Sequence, residues 1–216
     1  RKLEFVLARA IAEGADTLLT CGGLQSNHCR ATAVLGAQLG LKVHLILRGE
    51  PPEQPPDGNL LLDSLVGAEI SCYPQNQYQH LPELIAHWLD FYRSRGRKPF
   101  VIPTGASDGI GIWGYLHSVS ELACQFRELE IKPDAIVWAT AEVFSTIRHM
   151  ASLEGLILDP VYTGKAFYGL IQEIKAGAFQ GASDIVFIHT GGLFGLYAQR
   201  DELGIQLKSS ASGLIE

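Results

Sequence analysis

Six short apolar or β-branched runs, at residues 17–21, 43–47, 69–73, 100–102, 135–139 and 184–189, are separated by stretches with helical spacing. This alternation restricts the fold more than any other feature of the chain. Leu81, Leu84, Ile85, Trp88, Phe91 and Tyr92 recur every three to four residues, as do Ile112, Tyr115, Leu116, Val119, Leu122 and Phe126. Each set predicts an amphipathic helix with one buried stripe. Strands alternating with helices predict an α/β fold of doubly wound, open parallel sheets covered by helices on both faces. Such sheets take ligands at the carboxyl ends of their strands. An opening helix over 5–13 is expected to close at Gly14, which suits the C′ position. The Pro-rich stretch 51–59 reads as a surface loop and 208–216 as a frayed tail.

Composition narrows the possible partners. The 17 basic and 23 acidic side chains give a net charge of −6, with no basic stripe, which argues against a nucleic-acid partner. Cys21, Cys29, Cys72 and Cys124 form neither a C-x-x-C pair nor a zinc spacing, so reduced, mostly buried thiols and no metal are expected. No apolar run approaches the ~18 residues of a membrane span, and no signal peptide is evident. The expected location is the cytoplasm.

The segment TLLTCGGLQSNHCRATA (17–33) is the first candidate site. A buried strand enters Gly22-Gly23, where a ligand can approach the main chain closely. Ser26 or Asn27 can cap the helix starting near His28, and a helix start with open N–H groups seats an anion. Asn27 can alternatively turn its amide toward a ligand oxygen. Ala31, Ala33, Gly36 and Ala37 let that helix lie close to a neighbour. The plain alternative is an ordinary βα turn. A Ser26–His28 hydrolase lacks the G-x-S-x-G elbow, and i to i+2 is poor spacing for the pair. The P-loop and the G-x-G-x-x-G fingerprint are absent.

RKLEF (1–5), GGLQSNHCR (22–30), GASDGIGIWGY (105–115), LDPVYTGKA (158–166) and FIHTGG (187–192) together resemble the pyridoxal-phosphate enzymes grouped as D-cysteine desulfhydrase and aminocyclopropane carboxylate deaminase. The resemblance implies a tryptophan-synthase-β-like fold: two doubly wound α/β domains with pyridoxal 5'-phosphate in the cleft between them. The corresponding expectation is a small domain over 15–115 and a large domain from 1–14 plus 116–216. It implies that Gln25, Ser26, Asn27 and His28 face the substrate, with Asn27 on the ring hydroxyl oxygen and Ser26 catalytic. Lys2 would help to bind the phosphate, and Thr190, followed by Gly191, would face the pyridine nitrogen. Tyr162, Thr163, Lys165, His189 and Tyr115 read as structural, His189 and Tyr115 as core residues.

The sequence departs from the family pattern in two places. The Schiff-base lysine of the family lies two positions before the Arg-Lys-Leu-Glu motif, hence before Arg1. After 135–139 the family's phosphate-cradling loop is replaced by text resembling a later helix. The large domain therefore reads as incomplete, with a block missing near 140–142. The implied activity is β-elimination from a small amino acid. D-cysteine desulfhydrase is favoured because QSNH and HTGG look more like that branch, with the deaminase as alternative. A non-catalytic small-carboxylate-binding protein is the rival from another class. A homodimer is the family expectation.

Overall fold

The computed structural model describes residues 1–53, 55–137, 144–160, 162–189, 191, 196 and 203, with the backbone alone at 137, 144 and 145. The chain divides into two compact units, residues 1–136 with 182–186, and 137–181 with 187–216. The expected seam at 140–142 and the tail at 208–216 lie outside the described residues.

The first unit opens with helix α1 (Lys2–Ala12). It starts three residues earlier than the pattern suggested, because Leu3 extends the buried stripe of Val6, Leu7 and Ala10. Gly14 follows at φ +73°, the left-handed geometry expected at C′. Strand β1 (Thr17–Gly23), helix α2 (Asn27–Gln38) and strand β2 (Lys42–Arg48) come next, then α3 (Gly58–Leu65) and β3 (Glu69–Tyr73). A short α4 (Gln75–Tyr78) and α5 (Leu81–Arg93) lead to β4 (Pro99–Val101), a 3₁₀ turn (Thr104–Ala106) and α6 (Ile112–Glu128).

The four strands form one parallel sheet in the order β3-β2-β1-β4. Side chains alternate across β1. Leu18 joins α1, α2 and α3 residues in one core, which contains Val6, Ala33 and Leu60. Leu19 and Cys21 point into a second core with Ile46 and Tyr92, covered by Leu84, Ile85 and Trp88 of α5. Helices thus cover both faces, as the alternation required. The strand order reverses between β1 and β4, so a crevice is expected at their carboxyl ends. Those ends are tied together: Ile102 N donates to Leu19 O (2.8 Å), and Thr20 Oγ1 to Ile102 O (2.9 Å).

Helix α6 has the expected period but not the expected burial. Ile112, Tyr115, Leu116 and Val119 are 50–60% exposed. The face turned to α1 carries Gly114, His117 and Glu121. A Cβ on Gly114 would stand 2.6 Å from the Arg1 backbone, Phe5 and His117 rings lie 6.1 Å apart, and Arg1 pairs with Glu121. Periodicity reports that a helix has an apolar stripe; it carries no information about which face meets a neighbour. Tyr115 is accordingly not a core residue.

Strands β5 (Ala135–Val137) and β6 (Ile185–Phe187) pair in a second, two-stranded sheet. The second unit contains α7 (Phe144–Glu154) and α8 (Thr163–Lys175), with a cluster around Ile147, Leu158 and Leu203. Thr163 is structural, as expected. The buried Asp159 carboxylate accepts from Tyr162 N, Thr163 N and Thr163 Oγ1 at 2.8, 2.8 and 2.6 Å, which fixes the start of α8. His189 is hydrogen-bonded but exposed, so its expected place in the core is corrected. It lies two residues beyond β6, which is itself only half-buried.

Candidate active site at the carboxyl end of β1

The turn from β1 into α2 lies at the reversal point of the sheet. Ser26 is the N-cap, with extended backbone (φ −70°, ψ 118°), and its Oγ accepts from Cys29 N at 3.2 Å. The first backbone helical bond is Arg30 N to Ser26 O (3.1 Å), so the N–H groups of Asn27 and His28 precede the helical ladder. With the positive end of the α2 dipole, they form a seat for a carboxylate. Gly22 is obligatory here: a Cβ on it would stand 2.7 Å from Ser26 Oγ and from Cys29 Sγ. A Cβ on Gly23 would meet nothing within 4 Å among the described residues, so the backbone beside the turn is open to a flat ligand.

The protonation of His28 follows from its partners. Thr20 Oγ1 lies 2.8 Å from His28 Nε2 and 2.9 Å from Ile102 O. The carbonyl only accepts, so the single hydroxyl proton goes to it, and His28 Nε2–H must donate to Thr20 Oγ1. His28 Nδ1 then carries a lone pair. Burial pushes the imidazole down to about 4, assisted by the positive charge of Lys2, so the ring is neutral at pH 7.

Lys2 Nζ donates to Ser107 Oγ (2.8 Å) and Gly105 O (3.2 Å), on the loop that leaves β4. Gly105 adopts φ +68° and Ala106 φ +49°, so this loop is tightly turned. Cys21 Sγ on β1 and Thr104 Oγ1 on this loop lie 3.0 Å apart. Lys2, Gln25, Ser26, Asn27 and His28 therefore all belong to the first unit, on the loops and helix starts around the β1–β4 reversal. Gly191 belongs to the second unit, where it takes φ +84° and donates to His189 Nδ1 (3.1 Å). Thr190 lies outside the described residues.

Asn59, which the sequence pattern assigns to the 51–59 loop, belongs to a helix. It stands on the first turn of α3 with no exposed surface. Its backbone N–H donates to Gln25 Oε1 (2.7 Å), and its amide donates to Gln25 O (2.8 Å) and Asn27 Oδ1 (3.0 Å). Arg30 Nε donates to Asn59 Oδ1 (2.9 Å). The one sequence signal was Asp57-Gly58 ahead of Leu60-Leu61-Leu62, an acidic residue before an apolar run, which marks a helix start. Asp63, one turn further along α3, is fully buried, and neither carboxylate oxygen has a hydrogen-bond partner among the described residues. Burial pushes its carboxyl up to about 7, against the pull of Arg30.

Comparisons with known proteins place the chain in a family. Residues 1–141 match the family model described as pyridoxal-phosphate dependent enzyme. A bifunctional D-cysteine desulfhydrase/1-aminocyclopropane-1-carboxylate deaminase of Arabidopsis thaliana is 33% identical over 282 residues, covering 94% of this chain and 70% of that protein. A Thermotoga maritima protein named a 1-aminocyclopropane-1-carboxylate deaminase, without established activity, is 32% identical, covering 94% of this chain and 86% of it. The crystal structure of an ACC deaminase homologue superposes with a TM-score of 0.80 at 32% identity, covering 94% of this chain and 82% of that one. The chain belongs to the pyridoxal-phosphate dependent enzyme family, in the group of aminocyclopropane carboxylate deaminases and D-cysteine desulfhydrases, and its cofactor is pyridoxal phosphate. The matched stretch of the Arabidopsis protein is longer than this chain. Since 94% of 216 residues is about 203, about 79 of the 282 matched positions of the Arabidopsis protein face no residue here.

Two features of the β1–α2 turn suit the ring of the cofactor. Asn27 has its Oδ1 engaged by Asn59, which leaves its amide N–H groups to donate. The backbone at Gly23 is unobstructed.

Proposed function

We propose that this protein catalyses β-elimination from a small amino acid, with D-cysteine as substrate and sulfide, ammonia and pyruvate as products. The observation that carries the reading is the β1–α2 turn, where a side-chain amide, a capping hydroxyl, open N–H groups and a neutral imidazole occupy four consecutive residues. The wording of Gln25-Ser26-Asn27-His28 favours the desulfhydrase branch. Pyridoxal phosphate, when bound, supplies the electron-withdrawing ring that makes an amino acid's α-proton acidic. Asn27 donates its amide N–H to the oxygen on that ring. The N–H groups of Asn27 and His28 hold the substrate carboxylate at the positive end of α2. Ser26, its lone pair on Cys29 N–H, presents its hydroxyl proton to the substrate and is the proposed catalytic residue. His28 Nδ1 accepts a hydrogen bond from a substrate N–H, and Gln25 fixes the turn from behind. Lys2 offers its ammonium to the phosphate. By the resemblance of FIHTGG alone, Thr190 and Gly191 are assigned to the pyridine nitrogen. A homodimer, expected from the resemblance, and a cytoplasmic location, expected from the sequence, belong to the same reading.

Supplying D-cysteine and 1-aminocyclopropane-1-carboxylate in parallel, and following sulfide and ammonia, tests it. Sulfide from D-cysteine, lost in Ser26→Ala, is the expected result. Ammonia from the cyclopropane substrate alone would move the assignment to the deaminase. The shorter match favours one further reading, a small-carboxylate binder without catalysis, which predicts binding and no turnover of either compound.

A further inference from the structure

We propose that Arg30 and Asn59 form an orientation relay that sets which end of the Asn27 amide faces the ligand, making Asn59 a positioning residue for the site. The inference rests on the cofactor reading of Asn27 given above. It follows from donor and acceptor logic along a chain of three side chains.

A guanidinium has donors only, so the Asn59 atom 2.9 Å from Arg30 Nε must be the oxygen. That places the Asn59 NH₂ group at the other end, where its two hydrogens meet Gln25 O at 2.8 Å and Asn27 Oδ1 at 3.0 Å. Because that group only donates, the atom it meets on Asn27 must in turn be the oxygen. The Asn27 NH₂ group is thereby turned away from Asn59. The register is locked a second time through Gln25. Its Oε1 receives the Asn59 backbone N–H at 2.7 Å, so its amide nitrogen donates to Asp57 O and Oδ1, each at 3.2 Å. Asn59 is wholly buried, so water does not compete for its own donors and acceptor.

An isolated Asn presents either end to a ligand at little cost. Here the amide is committed before the ligand arrives, and the end it presents is a donor. That choice suits an anionic or phenolate-type oxygen and disfavours a ligand that itself donates. The discrimination therefore originates on Arg30, one helical turn into α2, and is transmitted through α3.

Asn59→Asp tests the relay. It keeps an acceptor for Arg30 and removes both side-chain donors, so the Asn27 amide is expected to reverse and donate to the new carboxylate. Hydrogen exchange of the Asn side-chain amides, read by ¹⁵N NMR on the protein without cofactor, reports this directly. In the unaltered protein the Asn59 amide protons exchange slowly and those of Asn27 exchange fast. In Asn59→Asp the Asn27 protons become protected, and pyridoxal-phosphate affinity falls about tenfold, the worth of one hydrogen bond. Slow exchange of Asn27 in the unaltered protein would overturn the relay, and that measurement stands even if Asn59→Asp does not fold. Unchanged Asn27 exchange, or unchanged affinity, in a folded Asn59→Asp would overturn it as well. If the unaltered protein takes up no pyridoxal phosphate, the cofactor reading fails, while the exchange rates still decide the relay.

Discussion

Two adjacent glycines at the end of β1 are expected to respond in opposite ways to the same substitution. In Gly22→Ala the new methyl group would stand 2.7 Å from Ser26 Oγ, 2.8 Å from Ser26 Cβ and 2.7 Å from Cys29 Sγ. These atoms are not loose ends. Ser26 is the cap of α2, and Cys29 is fully buried. Relief of the clash must displace the capping side chain. The overpacking costs about 1–3 kcal/mol, and loss of the cap adds about 1 kcal/mol. A total near 3 kcal/mol lowers the melting temperature by roughly 6–12 °C in a chain of this size. Gly23→Ala places its methyl in open space, at a φ outside the left-handed region, and is expected to stay within about 0.5 kcal/mol of the unaltered protein. Urea unfolding followed by circular dichroism, with both variants beside the unaltered protein, measures the difference. Equal stability of the two variants would refute the description of the β1–α2 turn.

Three further predictions concern buried and exposed groups. Asp63 has its folded pKa raised to about 7, so the folded state holds a proton that the unfolded chain has released. Stability from this group is lost as pH rises from about 4 to about 7. Asp63→Asn therefore gains on the unaltered protein over that window by a few kcal/mol, since each pH unit separating the folded from the unfolded pKa is worth about 1.4 kcal/mol. The half-buried His28 and the buried His44, both pushed down to about 4, act in the opposite sense in both proteins, so the difference between the two unfolding series isolates Asp63. On α6, Leu116→Gln and Val119→Gln each change stability by less than about 0.5 kcal/mol, because both side chains are more than half exposed; a loss above about 2 kcal/mol in urea unfolding would mean that the stripe is buried. Thr163→Ala removes two of the bonds that anchor Asp159 and costs about 1–2 kcal/mol, read by chemical unfolding, with an unchanged midpoint as the contrary result.

Much of the first unit was legible in the sequence for a simple reason. Leu18, Leu19, Val43, Leu45 and Ile46 sit in strands covered on both faces, so they write continuous apolar runs that need no knowledge of their neighbours. The Leu81–Tyr92 stripe was equally readable, because α5 lies directly on the sheet. Ser26 was readable as a cap from its place between a strand and small helix formers. The same local logic failed on α6, whose apolar stripe is exposed while a glycine, a histidine and a glutamate meet α1. It failed again on Asn59. Strand order β3-β2-β1-β4 brings α3 beside α2, and no pattern within residues 51–59 encodes that a polar residue there would be buried against Gln25 and Asn27.

Saturable uptake of pyridoxal phosphate, measured by equilibrium dialysis on the unaltered protein and on Asn27→Ala, tests the assignment of the β1–α2 turn most directly. The turn as described predicts binding to the unaltered protein, weakened about tenfold or more by the loss of the Asn27 amide. Equal binding by both proteins, or none by either, would contradict it.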